Sequence, residues 1–404
     1  MTASRPIPGT SERTLRPYSQ IVAVFLCGAF AFLEMYCTQP LLPLLRQAFH
    51  ASEVHVGLTI SACTTGVAIS AALLAVFGER FHRKRVIMLS MTALACATLL
   101  TATATTLNEL ELWRLVQGIL TPGIFILTIA YVTEEWPAHL VPRVMSSYVA
   151  GTVFGGFVGR LLGGTVAQHG GWRATFVLLG TLALLGAGFI QWLLPAATHR
   201  HVHDESTTPV RNNLRNSRLL ATFGVGFCML FTLVSIFSYV TFYLSESPFN
   251  LSTAQLSYLF TVYLFGLVAT LAAGTVLAHI GLRYGMLSAI GMCFAGCCLT
   301  LIHSLAAVGV GLAICSSGVF IAQTCANSSL REATPAGSRV SAAGMYICSY
   351  YIGGTVGGIL PGVAWKLRGW PACVALTCGF LVIAATLVVL WWPRRAVRPV
   401  PGAA

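Results

Sequence analysis

The sequence of 404 residues is 56% hydrophobic and only 9% charged, whereas soluble globular proteins carry about 25% charged residues. This composition excludes an ordinary soluble domain and indicates a membrane protein. A formal net charge of +12 would suggest a nucleic-acid partner in a soluble protein. Here we expect none, because the basic residues lie mainly between apolar stretches, as in cytoplasmic loops.

Apolar stretches of about 18 residues or more with few charges are long enough to cross a bilayer as helices. Twelve such stretches follow one another along the chain. The predicted spans are residues 20–42, 55–78, 86–107, 109–132, 146–168, 174–195, 218–244, 255–278, 286–303, 305–327, 340–365 and 371–392. The predicted fold class is therefore an all-α membrane protein with twelve transmembrane helices in two pseudo-symmetric six-helix bundles.

Basic residues are distributed unequally between the two ends of these spans. Of the 24 Lys and Arg residues, 18 lie on the side of the N-terminus. By the positive-inside rule this side faces the cytoplasm, and an even number of spans places the C-terminus there too. We predict a multi-pass protein of a bacterial inner membrane with both termini cytoplasmic. The first span is expected to be retained, because the polar N-terminal tail is not followed by a short apolar region with a small-residue cleavage site.

The longest polar interruption between the spans lies near the middle of the chain. We predict a cytoplasmic linker at residues 196–217. It joins bundles at residues 20–195 and 218–392, and cytoplasmic tails occupy residues 1–19 and 393–404. The linker's histidines are more typical of a solvated segment than of a metal site. The 13 cysteines form no C-x-x-C pair, so we expect no metal, no cofactor and no disulfide.

The two predicted bundles resemble each other when the chain is shifted by 198 residues. Ten of 27 aligned positions, beginning with Tyr148 and Tyr346, are then identical. The span at 146–168 corresponds to the span at 340–365 in this alignment. Parallel repeats of this kind are typical of secondary transporters, whose halves move about a central substrate site.

Glycines recur at i, i+4 spacing in these two spans, which lets membrane helices approach closely. The glycines predicted to form the packing surfaces are Gly151, Gly155, Gly159, Gly163, Gly353 and Gly357. Arg160 lies beside the first surface, on a separate i, i+4 row between Gly156 and Gly164, and the second half has no arginine at the equivalent position. We interpret Arg160 as an addition to a packing helix, facing a cavity at the level of Glu34.

A cluster of charges, "AVFGERFHRKRV", stands between the second and third spans at Ala75–Val86. It resembles the signature G-x-x-x-D-R-x-G-R-R of the major facilitator superfamily. The residues that match its charged positions, and that we predict to act in gating, are Glu79, Arg80, Arg83 and Lys84. The resemblance implies that the acidic residue docks near the cytoplasmic end of the eleventh span and latches the gate, a contact favoured by the helix dipole.

Further segments resemble parts of the same superfamily. "RLVQG", Arg114 to Gly118, resembles the R-x-x-Q-G motif, whose arginine is implicated in proton coupling. "MYCTQPLLP", "SYVTFYLSESPFNLS" and "SYYIGG" resemble the arabinose-efflux-like and multidrug-efflux branch. The glycines around Arg160 resemble the antiporter signature G-x-x-x-G-P-x-x-G-G, with the arginine in place of proline.

Three ionisable residues, Glu34, Arg114 and Arg160, lie inside predicted spans. A charge at a helix centre costs about 2.5–3.5 kcal/mol on insertion scales and marks a pathway or a partner. We predict one buried network around a cavity, a carboxylate facing two guanidiniums, that couples proton movement to transport. Helix packing for Glu34 and an interfacial position for Arg114 are alternatives. Arg160 has two readings, an ion pair with Glu34 or direct contact with an anionic substrate.

Aromatic and amide side chains supply further candidates for substrate contact. They are Tyr36, Gln39, Gln117, Tyr239, Tyr243, Tyr263, Gln323, Tyr350 and Tyr351. Ligand pockets are largely apolar and need few polar groups. We therefore expect only some of this set to touch substrate and the others to pack between helices or in the interface belts.

These features predict a monomeric secondary transporter that exports a small organic compound, such as a drug, sugar or metabolite, in exchange for protons by alternating access. A primary pump is disfavoured because the chain has no G-x-x-x-x-G-K-[ST] phosphate loop, and a membrane enzyme because it has no H-E-x-x-H motif. Two alternatives remain: proton-coupled uptake by symport, and a transporter-like receptor without coupled transport.

Overall fold

The structure, a computed structural model, describes most of the chain in five segments. These are residues 17–77, 82–137, 139–194, 215–334 and 339–394. Glu79, Arg80, most of the predicted linker and most of both tails lie outside the described residues.

Twelve α-helices follow one another in the described segments. They are α1 (Pro17–Leu33), α2 (Leu42–Ala48), α3 (Glu53–Phe77), α4 (Arg83–Thr101), α5 (Leu107–Glu135), α6 (Val141–Leu193), α7 (Ser217–Ser245), α8 (Thr253–Leu259), α9 (Tyr263–Leu299), α10 (Leu305–Ala333), α11 (Arg339–Arg368) and α12 (Trp370–Trp391). Short 3-10 turns at Gln39–Leu41 and Phe260–Val262 precede α2 and α9.

Nine helices in the described part of the chain are long and apolar enough to cross a membrane. One of them, α6, is two helices joined at Gly171, whose φ of 74° breaks the helical path in a conformation that glycine adopts readily. A similar break at Gly281 divides α9. The two arms of α6, together with the shorter apolar helices Ser19–Leu33 and Thr253–Ala269, complete twelve spans. The predicted all-α, twelve-helix fold is confirmed.

The first predicted span, residues 20–42, differs from the structure. Helix α1 ends at Leu33, and the chain turns before the 3-10 turn at Gln39–Leu41. Pro40 lacks the amide hydrogen that a continuing helix would need. Glu34 lies just beyond the end of α1, whereas the sequence predicted it inside a helix.

The first arm of α6 packs against α1 at a distance that only glycine permits. A Cβ added at Gly155 would lie 1.9 Å from the carbonyl oxygen of Ala29. In the second half, a Cβ at Gly353 would lie 2.1 Å from the carbonyl oxygen of Phe227, which is 198 residues beyond Ala29. Gly151, Gly159 and Gly357 also lie against the facing helix, whereas Gly163 lies against Cys37 in the turn that follows α1.

Hydrogen bonds repeat with the same offset. The hydroxyl of Tyr148 donates to the carbonyl oxygen of Phe125 at 3.3 Å. The hydroxyl of Tyr346 donates to the side-chain oxygen of Gln323 at 3.1 Å, and each of these residues lies 198 positions beyond its counterpart. Polar contacts inside the two halves thus follow the internal repeat.

The two halves meet along α3 with α11 and along the first arm of α6 with α8. We call the end of the molecule that carries residues 34–52 and 246–252 the closed end, and the end at which α1 begins and α12 ends the tail end. At the closed end Arg46 bridges the halves, binding Glu53 at 2.7 Å and Glu246 at 2.9 Å. These contacts leave a space between the halves that extends toward the tail end.

Candidate functional site

A cavity of about 380 Å³ lies between the two halves, with a lining that is mostly aromatic and aliphatic. Its residues on α6 run from Val149 to Arg160, so the cavity extends from the level of Arg160 toward the tail end. The polar and tyrosine residues of the lining are Tyr36, Thr152, Arg160, Tyr263, Gln323, Thr324, Asn327, Tyr346, Tyr350 and Tyr351. This composition suits a small, largely apolar ligand fixed by a few polar groups.

Arg160 is the only charged residue that the described chain contributes to this lining. The residue is 4% exposed. Its Nε donates to the side-chain oxygen of Gln39 at 2.7 Å, and its Nη1 donates to the carbonyl oxygen of Gly156 at 2.6 Å. Both partners are neutral, so hydrogen bonding positions the guanidinium without neutralising its charge.

Aromatic rings from both halves surround the guanidinium of Arg160. Its central carbon lies 4.7 Å from the ring centre of Tyr36, 4.6 Å from that of Tyr263 and 5.4 Å from that of Phe260. Rings within about 6 Å attract a cation through their quadrupole. The arrangement stabilises the positive charge partly and leaves it available to a ligand in the cavity.

Arg114, by contrast, binds the backbone that follows α1. It is fully buried. Its Nη1 donates to the carbonyl oxygen of Glu34 at 2.8 Å, its Nη2 to that of Met35, and its Nε to that of Thr59 at 3.3 Å. Carbonyls at the end of a helix lack helical donors. Arg114 therefore satisfies the end of α1 and joins it to α3 and α5.

The carboxylate of Glu34 lies in a buried polar cluster between α4 and α5. Its Oε2 accepts a hydrogen bond from Thr98, whereas its Oε1 is buried and has no hydrogen-bond partner among the described residues. Gln117 donates to Thr98 at 3.1 Å and to Thr101 at 2.8 Å, and its oxygen accepts from Arg114. Leaving a buried acceptor unpaired is costly, so this oxygen is a suitable position for a proton.

The three charges predicted to form a single network fall into two groups, because hydrogen bonds through Thr98 and Gln117 link the Glu34 carboxylate to Arg114, whereas Arg160 lies apart from them. Glu34, Arg114 and Arg160 all lie in the described chain, yet no ion pair within 4.0 Å joins the Glu34 carboxylate to either guanidinium. Arg114 is engaged by carbonyl oxygens, because α1 ends earlier than predicted. Arg160 lines the cavity, with Gln39 beside it and no carboxylate among its described partners.

The nine aromatic and amide candidates divide into two groups. Those that line the cavity are Tyr36, Tyr263, Gln323, Tyr350 and Tyr351. The other four lie outside the lining. Gln39 holds Arg160, and Gln117 belongs to the Glu34 cluster. Tyr239 donates to a carbonyl of α11 at 2.8 Å, and Tyr243 stacks on Trp370 with 5.4 Å between ring centres.

Several lining residues were missed from the sequence. Thr324 and Asn327 follow Gln323 on one face of α10, and their i, i+1 and i+4 spacing is a signal that places them together. Tyr346 was noticed only as an identity between the repeats. Phe125 carried no signal, because an apolar residue in an apolar helix gives no indication of which face it occupies.

Two of the predicted gating residues, Arg83 and Lys84, lie in the described chain. Each binds a partner near a helix end within the first half. The guanidinium of Arg83 pairs with the carboxylate of Glu134, with Nη2 and Oε1 2.9 Å apart. The predicted latch itself depends on Glu79, which lies outside the described residues.

A cation caps the last helix of each half at the tail end. Lys84 donates to the carbonyl oxygen of Gln191 at 3.2 Å near the end of α6, and Arg283 donates to that of Val389 at 2.9 Å near the end of α12. Gln191 and Val389 are 198 residues apart. Cations at helix C-termini stabilise the free carbonyls and the helix dipole.

Two related bundles of helices, a cavity between them and buried charges beside it are typical of a secondary transporter. The sequence pattern described as "Major Facilitator Superfamily" matches residues 24–358 and, in a second match, residues 244–403. The chain belongs to this superfamily. It is a multi-pass membrane protein and a secondary transporter, not an enzyme.

Relatives across bacteria are similar over nearly the whole chain. The inner membrane transport protein YnfM of Escherichia coli (strain K12) is 29% identical over 369 residues, which cover 90% of this chain and 88% of that protein. The uncharacterized MFS-type transporter YybF of Bacillus subtilis (strain 168) is 25% identical over 370 residues, covering 90% and 91%.

Solved structures show the same fold at low sequence identity. A bacterial homolog of the human lysosomal transporter Spinster, in an inward-facing and unoccupied conformation, aligns with a TM-score of 0.76, 18% identity and coverage of 93% of this chain and 97% of that one. A D-xylose–proton symporter aligns with a TM-score of 0.74, 18% identity and coverage of 93% and 98%.

Proposed function

We propose that the protein exports a small organic compound across a bacterial inner membrane in exchange for protons, with Glu34 as the group that carries the proton. One observation carries the proposal. Glu34 is 1% exposed, and no group in the described part of the chain hydrogen-bonds its Oε1. A buried carboxylate without a paired cation favours proton uptake, and a conformation that admits water favours release.

The position of Glu34 supports a link between the proton and the substrate. The turn that follows α1 carries Glu34 at its start, Tyr36 in the cavity lining and Gln39 beside Arg160. A change in the charge of Glu34 therefore acts on the same short segment that shapes the substrate cavity. Arg114 fastens this segment to α5, which transmits the change to the rest of the bundle.

The distribution of basic residues supports a cytoplasmic tail end and both termini in the cytoplasm. Three cations form hydrogen bonds at this end. Arg83 binds the carboxylate of Glu134, and Lys84 and Arg283 bind backbone carbonyls of α6 and α12. In this orientation the contacts of the closed end face the periplasm, and the cavity extends toward the cytoplasm. An exporter collects its substrate in this state.

The test uses the full chain reconstituted in proteoliposomes that contain a pH-sensitive dye. Compounds are first selected by their thermal stabilisation of the purified protein, since a ligand of the folded state raises its stability. We expect an outward gradient of a selected compound to move protons in the opposite direction. Glu34→Gln should abolish this proton movement while preserving compound binding and thermal stability, because glutamine still accepts a hydrogen bond from Thr98.

Glu109→Gln is the matched control. Glu109 lies in the first turn of α5 and forms a capping box with Thr106, and glutamine preserves such a box. Proton movement by the Glu109→Gln protein should equal that by the wild type. Full coupled flux in Glu34→Gln overturns the role of Glu34. Protons that move in the same direction as the compound would establish symport, and binding without any flux would establish a receptor.

A further inference from the structure

We propose that Arg160 binds the anionic group of the substrate, and that the substrate class is small, largely apolar organic monoanions, with aromatic carboxylates as the type. This inference rests on the proposed function, since it concerns the compound that is transported. It identifies a binding site from the charge balance, the free hydrogen-bonding groups and the shape of the cavity.

The charge balance is the first argument. Arg160 is 4% exposed in a protein interior, and within the described residues it has no ion pair. A buried cation without a counter-ion is expensive, because neither neutral hydrogen bonds nor aromatic rings replace its hydration completely. An anion that enters the cavity supplies the missing charge. A cationic compound would be repelled from the same position.

Free hydrogen-bonding groups at the end of the cavity are the second argument. A guanidinium has five N–H groups, and the bonds to Gln39 and Gly156 involve Nε and Nη1 only. The hydroxyl of Tyr263 is buried and lines the cavity beside the guanidinium, from which its oxygen can accept, but among the described residues it donates to no acceptor. Together the two groups offer N–H and O–H donors to one carboxylate, whose paired oxygens match the arginine fork.

The shape and composition of the remaining cavity are the third argument. Its volume of about 380 Å³ lies near the lower end of the range of about 300–1,000 Å³ for ligand pockets. Beyond Arg160 the lining is dominated by Phe32, Phe125, Tyr350 and Tyr351. Flat aromatic or aliphatic ligands pack well between such rings, whereas a sugar would leave most of its hydroxyls unpaired.

The site also connects substrate binding to the movement of the two halves. Arg160 and Tyr36 belong to the first half, whereas Phe260 and Tyr263 belong to the second. An anion held between Arg160 and Tyr263 therefore contacts both halves at the closed end of the cavity. Binding of the anion then changes the free energy of the conformation in which Arg160 and Tyr263 face each other.

The experiment measures ligand binding to the purified full-length protein in detergent, independently of transport. The probes are benzoate, 3-phenylpropionate, indole-3-acetate and 2-naphthoate, each compared with its primary amide. We expect carboxylates to raise the unfolding temperature and their amides to have little effect. Arg160→Gln should weaken carboxylate binding about 10- to 100-fold, the loss expected for hydrogen bonds to a charged group.

Two further variants keep the test decisive if Arg160→Gln does not fold. Arg160→Lys retains the charge but not the planar fork and should bind carboxylates with intermediate affinity. Tyr263→Phe removes one donor without altering charge and should weaken binding about threefold to tenfold.

The control is Arg283→Gln. It removes a cation at the tail end, where Arg283 binds carbonyls of α12, and should bind carboxylates like the wild type.

Equal binding of amides and carboxylates overturns the inference, as does the absence of carboxylate binding at millimolar concentration or its retention in Arg160→Gln. The outcomes separate this inference from the proposed function. Carboxylate binding through Arg160 without proton movement would leave the inference intact and refute proton coupling. Proton-coupled flux of neutral or cationic compounds that persists in Arg160→Gln would refute the inference and leave the proposed function intact.

Discussion

Gln39 and Arg160 lie side by side at the closed end of the cavity, joined by a hydrogen bond of 2.7 Å from Nε of the arginine to Oε1 of the glutamine. The amide nitrogen of the same glutamine donates to Ser238 of the second half at 3.2 Å. A neutral residue thus holds the cation and at the same time joins the halves. The neutrality of this partner leaves Arg160 able to bind an external anion.

Gln39→Glu should give Arg160 a resident counter-ion. Because glutamate nearly matches glutamine in shape, the hydrogen bond to the guanidinium persists and gains an ionic component. We expect carboxylate binding to weaken at least about tenfold with no loss of thermal stability, measured by titration of the purified protein. Gln39→Leu, which supplies no counter-ion, is the control and should bind carboxylates better than Gln39→Glu. The opposite order would contradict this account of Arg160.

Arg114→Met should destabilise the protein strongly. It leaves the carbonyls of Glu34, Met35 and Thr59 and the oxygen of Gln117 without their donor, at about 1–3 kcal/mol for each buried group. Glu34→Gln, which retains the acceptor for Thr98, should leave stability within about 0.5 kcal/mol. Unfolding in detergent compares the two. An Arg114→Met protein of normal stability would show that this arginine is not the structural cap of α1.

Gly159→Ala should disrupt the contact between α1 and α6. The added Cβ would lie 1.8 Å from the carbonyl oxygen of Leu33, so the helices must separate, which costs at least about 1–3 kcal/mol. Gly379→Ala is the control, because a Cβ at Gly379 meets nothing within 4 Å. In thermal unfolding, Gly159→Ala should have a lower midpoint temperature than Gly379→Ala. Equal stability would mean that α1 and α6 move apart without cost.

Arg46→Gln should favour opening of the closed end. Arg46 binds Glu246 across the halves, but the pair is partly exposed, with 25% and 45% of the side chains accessible. Such pairs contribute about 0–1 kcal/mol, so the population shift should be fivefold or less by this estimate. Arg173→Gln is the control, since Arg173 donates to Ala104 of its own half. Distances between spin labels on the two halves would report the shift, and an equal effect of both variants would contradict it.

The fold could be predicted because its signals are properties of whole segments. Apolar length defined the spans, and the offset of 198 residues between repeats reappears in the contacts of Gly155 with Ala29 and of Gly353 with Phe227. The end of α1 could not be located in this way. A hydropathy pattern continues through Glu34 to residue 42, whereas α1 ends at Leu33, where Arg114 binds the carbonyl oxygen of Glu34.

The site could be predicted in its residues but not in its pairing. Glu34, Arg114 and Arg160 were recognisable as charges in apolar surroundings. Their partners depend on the directions in which the side chains point, and these follow from the turn after α1. Gln39 illustrates the limit, since its sequence context gives no indication that it lies between Arg160 and Ser238.

The uncompensated charge of Arg160 has an electrical consequence. A carrier whose substrate site contains a cation is positive when empty and neutral when a monoanion is bound, at a fixed protonation state of Glu34. Membrane potential exerts about 2.3 kcal/mol per elementary charge per 100 mV on a charge that crosses the full field. Voltage would then act mainly on the return of the empty carrier, so an inside-negative potential would hold the unloaded site toward the cytoplasm, the side from which the proposed exporter collects its substrate.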